Sequence, residues 1–463
     1  MFEDRKITDV ACIGAGHVGV TTMALMADRM PDVQFTVFDD NPSSICACQA
    51  GPLPFFQPGL DDLCNKLRGN NLHFSPSLAK TVQEAQIIFV CINTPLKSGG
   101  LGDGQAADLS SWDNIARRIA QASKMECKII VVCSTMPMNT GKTMRKVFQA
   151  ADTVKHEVLC FPAFYRGGSS VQELASPSTV LLGFDDTKSG TMAYSVFTQF
   201  LSPWIPQERI VPSNLWSAEL AKHAQNAMIA QRISSANAVS ALCEKTGADL
   251  EEVMAVARSD SRISDGYFKA SPSIGGTTLM QNMKMVVWLS EMLQLHEVAE
   301  YWQSVIEMNQ YQATRFTSNI PHTMGNVKDR KVAILGFSYK PDTSDTCLSP
   351  AITICKSLIE EGAKIAVYDP QVGADAIAKE LGGYHAFSPL QVTFAKTAME
   401  ALNGAQALVL VTAWAEFGEL DMGEVARGMA KPPFLFDSRG VWEVRDMEQL
   451  GFAVYRIGKP RRG

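Results

Sequence analysis

Short apolar runs separated by amphipathic stretches mark both ends of the chain. Asp9 to Ile13 reads as a buried strand, and a second, Gln34 to Phe38, ends at Asp39. Further apolar runs follow at Gln86 to Cys91, Lys128 to Cys133 and Val158 to Phe161, with helical spacing between them. Such runs suit strands covered on both faces, so the alternation predicts a mostly parallel sheet. The middle differs. From Leu215 to Thr246 there is no proline or glycine, small and apolar residues recur at helical spacing, and Gly247 is a stop signal. A helix over that stretch spans roughly 48 Å, enough to cross between domains or form a subunit interface. More helix is predicted from Met283 to Phe316. The strand pattern then returns with Val332 to Gly336, a helix from Ala351 to Gly362, and Ile365 to Asp369, again ending in an acid. Gly404 to Thr412 echoes Glu84 to Cys91.

The predicted fold class is α/β, with two Rossmann-like doubly wound domains joined by a long central helix and helical segment. The domains are expected at 1–213, 214–325 and 326–463. Gly14, Gly16 and Gly19 form a GxGxxG directly after the first strand. The first glycine permits a tight turn, the second lets a pyrophosphate approach the backbone, and the third lets helix and strand pack closely. Asp39 follows Gly19 by twenty residues, where a carboxylate meets a ribose 2′-hydroxyl. It favours NAD over NADP, whose 2′-phosphate it would repel. His17 and Val18 belong to the same cofactor turn. His17 itself reads as a surface residue rather than a catalyst.

Composition narrows the picture. The hydrophobic fraction of 46% and charged fraction of 19% suit a soluble protein with large cores. A net charge of −6 argues against a nucleic-acid surface. No apolar run approaches the roughly 20 residues of a membrane helix. Met1 to Lys6 is charged and lacks a signal-peptide stretch. The 11 scattered cysteines have no zinc or redox spacing, and the histidines no metal-ligand spacing, so no metal site and a cytoplasmic location are expected.

Successive blocks resemble the UDP-glucose dehydrogenase family along nearly the whole chain. They are Gly14 to Gly19, Pro54-Phe-Phe-Gln-Pro-Gly-Leu60, Asn93-Thr-Pro95, Ala106-Ala-Asp-Leu109, Ser134-Thr-Met-Pro137, Ala218 to Asn226, Gln231 to Ser235 and Gly336 to Thr343. The resemblance implies an NAD domain, a helical dimerisation segment and a C-terminal nucleotide-sugar domain, hence a homodimer or higher oligomer. It also implies oxidation of a primary alcohol twice, with a cysteine thiolate trapping the intermediate aldehyde. Lys222 and Asn226, four apart on one helix face, match residues that stabilise the developing alkoxide. Thr94 and Thr135 match positions near the cofactor, Thr135 also being a catalytic candidate with Lys222, Asn226 and Thr278, and Arg262 and Lys340 match positions near the substrate, with Arg262 reaching across a dimer interface.

The departures from the family are pointed. Its Gly-Phe-Gly-Gly-Ser-Cys-Phe-x-Lys-Asp block reads Ser273-Ile-Gly-Gly-Thr-Thr-Leu-Met-Gln-Asn282, so Thr278 occupies the nucleophile position and Asn282 replaces an aspartate. A threonine hydroxyl cannot ionise usefully without a dedicated base. The Asn-Pro-Glu-Phe-Leu-Ala-Glu-Gly block reads Phe161-Pro-Ala-Phe-Tyr-Arg-Gly-Gly168, with Ala163 and Gly167 replacing both glutamates. Ser44 and Cys347 replace basic residues near the cofactor, which predicts weakened NAD affinity. Phe161, Phe164, Tyr165, Arg166, Ile274, Gly275, Leu279 and Met280 are expected around the substrate pocket, with Phe161, Tyr165, Ile274, Leu279 and Met280 lining an apolar cavity. The expectation is therefore a repurposed catalyst acting on another, more apolar small molecule, by one two-electron redox step or by non-redox catalysis such as cyclisation. Sugar-acid synthesis is expected to be absent. The alternatives are a pseudoenzyme partner of an active relative and an NAD-dependent UDP-glucose 6-dehydrogenase with atypical chemistry.

Overall fold

The computed structural model describes residues 6–123, 126–134, 139–151, 155–263, 266–383, 385–388 and 390–460. These fall into two compact units, Met1–Gln225 and Asn226–Gly463.

The first unit is built on eight strands: β1 (Asp9–Ile13), β2 (Gln34–Phe38), β3 (Leu72–Ser75), β4 (Ile87–Val90), β5 (Ile129–Val132), β6 (Glu157–Cys160), β7 (Val180–Phe184) and β8 (Ile210–Asn214). Their order is β3-β2-β1-β4-β5-β6-β7-β8, parallel except where β7 runs against β6. The register pairs Ile13 with Phe38 and with Val90. That brings the ends of three strands together beside the glycine turn. Alternate residues face opposite sides of the sheet. One face packs Val10, Cys12, Phe89, Val131, Leu159 and Phe161 against the helices His17–Arg29 and Lys188–Leu201. The other packs Ala11, Ile13, Val90 and Val132 against Trp112, Ile115 and Phe148.

The second unit repeats the plan with six parallel strands: β9 (Lys331–Leu335), β10 (Lys364–Tyr368), β11 (Val392–Phe394), β12 (Ala407–Leu410), β13 (Phe434–Asp437) and β14 (Ala453–Arg456), in the order β11-β10-β9-β12-β13-β14. The helix Leu215–Thr246 is unbroken over 32 residues, as its composition predicts. It begins in the first unit and ends in the second. The helix expected from Met283 to Phe316 is present as two helices, Thr277–Met292 and His296–Met324. The break falls at Leu293 to Leu295, where Gln294 takes φ +60°. No described helix is long and apolar enough to cross a membrane.

Candidate functional site

The glycine turn shows three different demands. Gly14 has φ +114°, and a Cβ there would lie 2.4 Å from the Cys91 carbonyl oxygen. A Cβ on Gly19 would lie 2.1 Å from the Gly14 oxygen, so close packing of helix on strand excludes a side chain. A Cβ on Gly16 would meet nothing within 4 Å. Gly16 is the N-cap of the helix His17–Arg29 and provides no side-chain cap, leaving amides and an open space at a helix N-terminus. Such a space at a helix N-terminus fits a pyrophosphate. Asp39 is half-buried beside it: one carboxylate oxygen accepts from the Ala15 amide and the other from the Asn41 amide, each at 2.8 Å. A carboxylate has lone pairs beyond those two bonds, so Asp39 retains capacity for ribose hydroxyls. These residues fit a dinucleotide.

Other residues of the turn are more engaged than the sequence suggests. His17 is half-buried rather than a surface residue; its Nε2 lies 2.7 Å from Gln57 Oε1 and 3.2 Å from Ser170 Oγ. The Val18 carbonyl accepts from the Thr22 and Tyr165 hydroxyls. Thr94 is buried, and its hydroxyl accepts from the Trp112 indole at 2.7 Å. Ser44 lies in the helix Pro42–Ala50. Thr135 lies outside the described residues.

The loop after β6 leads to Lys222. The Phe164 ring lies under the Lys222 ammonium, 5.2 Å from centroid to Nζ. Lys222 is only 8% exposed, and this desolvation lowers its pKa to about 8, against the opposing charge of Glu173. Asn226 follows one turn later, also buried, and its Nδ2 has no acceptor among the described residues. A cation and an unused amide N–H one turn apart can hold an oxygen that becomes negative. Between strand and helix, Arg166 is exposed and bound through Nε to Glu173 at 2.6 Å. Three carboxylates or amides here were not anticipated. Glu173 anchors the loop. Gln57 accepts from the Gly168 amide at 2.8 Å. Glu219 accepts from the Asn139 and Gly141 amides at 2.6 and 2.8 Å, fixing the chain that follows the Ser134 block. Their partners lie 4 to 111 residues away in sequence, so although Gln57 and Glu219 fall inside the blocks noted above, the sequence did not show what they bind.

In the second unit, Thr278 is exposed near the start of the helix Thr277–Met292. Asn282 is fully buried; its Nδ2 donates to the Thr278 carbonyl at 2.5 Å and its Oδ1 has no donor among the described residues. The preceding segment is tied down: Ile274 N donates to Asn309 Oδ1 at 2.6 Å and Gly276 N to the Cys347 carbonyl at 2.9 Å. Tyr339 fills the space over both glycines, so a Cβ on Gly275 or Gly276 would come within 2.8 Å of it. Gly275 is therefore a packing glycine rather than an open pocket wall. Lys340, next to Tyr339, places its ammonium 5.8 Å from that ring. Thr278, Gly275 and Lys340 thus belong to one neighbourhood. Arg262 does not join it: its side chain is 87% exposed and forked onto Asp260 two residues away.

The apolar cavity is not formed as expected. Phe161 is 3% exposed and packs edge-on against Phe89 and Phe197 in the first core. Tyr165 packs against the same core with its hydroxyl bound to Thr22 at 2.8 Å. Ile274 and Met280 are 5% and 8% exposed within the helical core of the second unit, against which Leu279 packs. Hydrophobic side chains fill these cores; they are not evidence for an apolar substrate. Four of the cysteines are held away from the thiolate form. Burial pushes the Cys347 thiol up to about 11 and Cys64 to about 12, and contact with a neighbouring thiol, together with burial, raises Cys91 and Cys133. Among the described residues, no group of three or more His, Cys, Asp or Glu could hold a metal ion.

An eight-stranded doubly wound sheet with this turn, this carboxylate and a helix-borne lysine defines a dinucleotide-binding domain of an oxidoreductase type. The chain belongs to the UDP-glucose/GDP-mannose dehydrogenase family: residues 8–201 match its NAD binding domain, 216–311 its central domain and 333–444 its UDP binding domain. It is 41% identical over 467 residues to UDP-glucose 6-dehydrogenase 1 of Oryza sativa subsp. japonica, covering 97% of each chain. It is 41% identical over 466 residues to UDP-glucose 6-dehydrogenase 2 of Arabidopsis thaliana, with the same coverage. In fold it is similar to a UDP-glucose dehydrogenase from the archaeon Pyrobaculum islandicum (TM-score 0.84, 24% identity, 99% of each chain). A UDP-D-ManNAc dehydrogenase from Pyrococcus horikoshii is also similar (TM-score 0.82, 18% identity, 98% of this chain and 100% of that one). Whole-length similarity to proteins named for sugar-nucleotide oxidation overturns the expectation of a repurposed catalyst for an apolar molecule. The core packing of the supposed cavity residues removes its physical basis.

Proposed function

We propose that the protein is an NAD-dependent UDP-glucose 6-dehydrogenase that completes its second oxidation without a cysteine nucleophile. The observation that carries this reading is the 41% identity, over 97% of the chain, to UDP-glucose 6-dehydrogenases. The donor pair formed by Lys222 and Asn226 supports it. NAD, when bound, supplies the hydride acceptor; Gly14, Gly16, Gly19 and Asp39 would hold it. Lys222, with a pKa of about 8, is mostly an ammonium at neutral pH. It and the Asn226 amide stabilise the sugar oxygen as its proton and the carbon-bound hydride leave. The first oxidation gives an aldehyde. Thr278 stands in the family's cysteine position, and its hydroxyl offers no thiolate to trap that aldehyde. Water adds to the carbonyl instead, giving a hydrate. Loss of the hydrate's hydride to a second NAD bound at the same site, and of a proton to water, gives the acid directly, so no thioester forms.

Because the useful form of Lys222 is the cation, turnover should fall as pH rises through about 8. Lys222→Arg stays charged and should keep its residual rate through that range. The test of the hydrate route is a hydroxylamine quench during turnover, combined with prior alkylation of accessible thiols. The reading expects UDP-glucuronate, no sugar hydroxamate, and activity that survives alkylation. Hydroxamate formation or inactivation by alkylation would replace the hydrate with a thioester on one of the remaining cysteines.

The division into domains at 1–213, 214–325 and 326–463 is part of the same proposal, as is assembly into a homodimer or larger oligomer in the cytoplasm. Exposed Trp216, Leu220, Met228 and Leu242 on the long helix support association. Light scattering of the purified protein checks it; a monomer at all concentrations would reject it.

A further inference from the structure

The loop that follows β6 carries Ala163 and Gly167 where the resembled family has glutamates, and several side chains outside it tie it down. Glu173, on the short helix Ser170–Ala175, reaches back over it. Its carboxylate accepts from the Arg166 amide at 2.8 Å, from Arg166 Nε at 2.6 Å and from the Ser169 hydroxyl at 2.7 Å. Tyr165 bolts the same loop to the cofactor-turn helix through Thr22, and Gln57 takes the Gly168 amide. Phe164 stands just before these anchors, and its ring meets the Lys222 ammonium. Two effects of that ring oppose each other. Its face attracts a cation, while its bulk keeps water away. Burial of Lys222, to which the ring contributes one contact, outweighs the opposing charge of Glu173 and lowers the lysine pKa overall.

We propose that Phe164 and the Arg166–Glu173 pair are positioning residues for Lys222: the pair pins the loop, and the pinned loop keeps the Phe164 ring over the ammonium. A carboxylate outside the Phe161–Gly168 block thereby organises it. The inference rests on the proposed role of Lys222 in hydride transfer, but the placement itself does not. The charge that reaches Lys222 is that of Glu173, to which Arg166 is bound. On the lysine's own helix, Glu219 is turned to the amides of Asn139 and Gly141, and His223 is its chain neighbour.

A sign distinguishes positioning from a simple field effect. If Glu173 acted only as a nearby negative charge, Glu173→Gln would lower the Lys222 pKa further. If the pair pins the loop, Glu173→Gln and Arg166→Met both free Phe164, admit water and raise it toward the usual lysine value. The experiment is pulse acetylation of the full-length protein with acetic anhydride across pH 6 to 10.5, read at Lys222 by mass spectrometry. The midpoint of labelling against pH gives the lysine pKa, separately from how easily the reagent enters. The unmodified protein should show a midpoint near 8. Glu173→Gln, Arg166→Met and Phe164→Ala should each move it up by about one unit, a tenfold change in protonation equilibrium, and Glu173→Asp should restore most of it. Circular dichroism melting confirms that each variant is folded; Arg166 is exposed, so at least that variant should be. A downward shift in Glu173→Gln, or no shift in folded Arg166→Met, overturns the positioning role. No turnover of UDP-glucose with these shifts intact would instead sink the proposed function and leave the placement standing.

Discussion

The two sheets carry the same turn and use it differently. At the end of β1 the Gly14 amide donates to the carbonyl of Phe38, and at the end of β9 the Gly336 amide donates to that of Tyr368. Each neighbouring strand then delivers an aspartate, Asp39 or Asp369. Asp39 takes one amide on each oxygen and stays half-buried. Asp369 is 7% exposed and saturated: Phe337 N, Ser338 N, Ser338 Oγ and the Trp414 indole bind one oxygen, and Gln371 N and Val372 N the other. Where the first turn has open space at Gly16, the second has buried Phe337 and Ser338. A carboxylate with spare lone pairs beside a cradle can recognise a ligand; a saturated one holds the backbone together. This separates the turn that fits a dinucleotide from its counterpart more clearly than the glycines do.

Replacing each acid should split the two roles. Asp369→Ala leaves several buried donors without an acceptor, so unfolding free energy should drop by about 3 kcal/mol, with NAD affinity unchanged in whatever remains folded. Chemical denaturation and calorimetry check this; lost NAD binding with full stability would reverse the assignment. Gly19→Ala forces a Cβ onto the Gly14 carbonyl and should cost about 1–3 kcal/mol as well as cofactor binding. Asp39→Ala should barely move the melting temperature yet weaken NAD by about tenfold to a hundredfold, from the loss of a charged hydrogen bond of about 1.5–3 kcal/mol. The smallest change is Gly16→Ala. It fits the apo chain without a contact, so stability should hold, while NAD affinity falls by about tenfold because the methyl occupies the pyrophosphate's approach. Unaltered NAD binding in Gly16→Ala would move the cradle elsewhere.

What the sequence could show follows from the range over which each feature is determined. β1, the turn, Asp39 and the 32-residue helix were legible because a buried parallel strand, a positive-φ glycine and an uninterrupted helical run are local signals. The pair β7 and β8 was missed: it extends the sheet beyond the one antiparallel contact, and β8 carries the exposed residues Val211, Pro212 and Asn214. Lys222 and Asn226 were singled out by helical spacing together with the family resemblance. Phe161 was misread because an apolar residue near a site motif can face either a cavity or a core. Alternation along β6 puts Leu159 and Phe161 on the helix-covered face, and only the position of the helices shows that the face is closed. Glu173, Gln57 and Glu219 escaped notice because their function lies in whom they reach, not in what surrounds them in sequence.

The central claim is that this chain oxidises UDP-glucose twice with Thr278 where its family has a thiol. The most direct measurement supplies purified full-length protein with a limiting amount of UDP-glucose and excess NAD, follows NADH absorbance to completion, and identifies the product by mass. The account predicts two NADH formed per UDP-glucose consumed, with UDP-glucuronate as the product. One NADH per sugar with an accumulating aldehyde, or no NADH at all from protein that binds NAD, would contradict it.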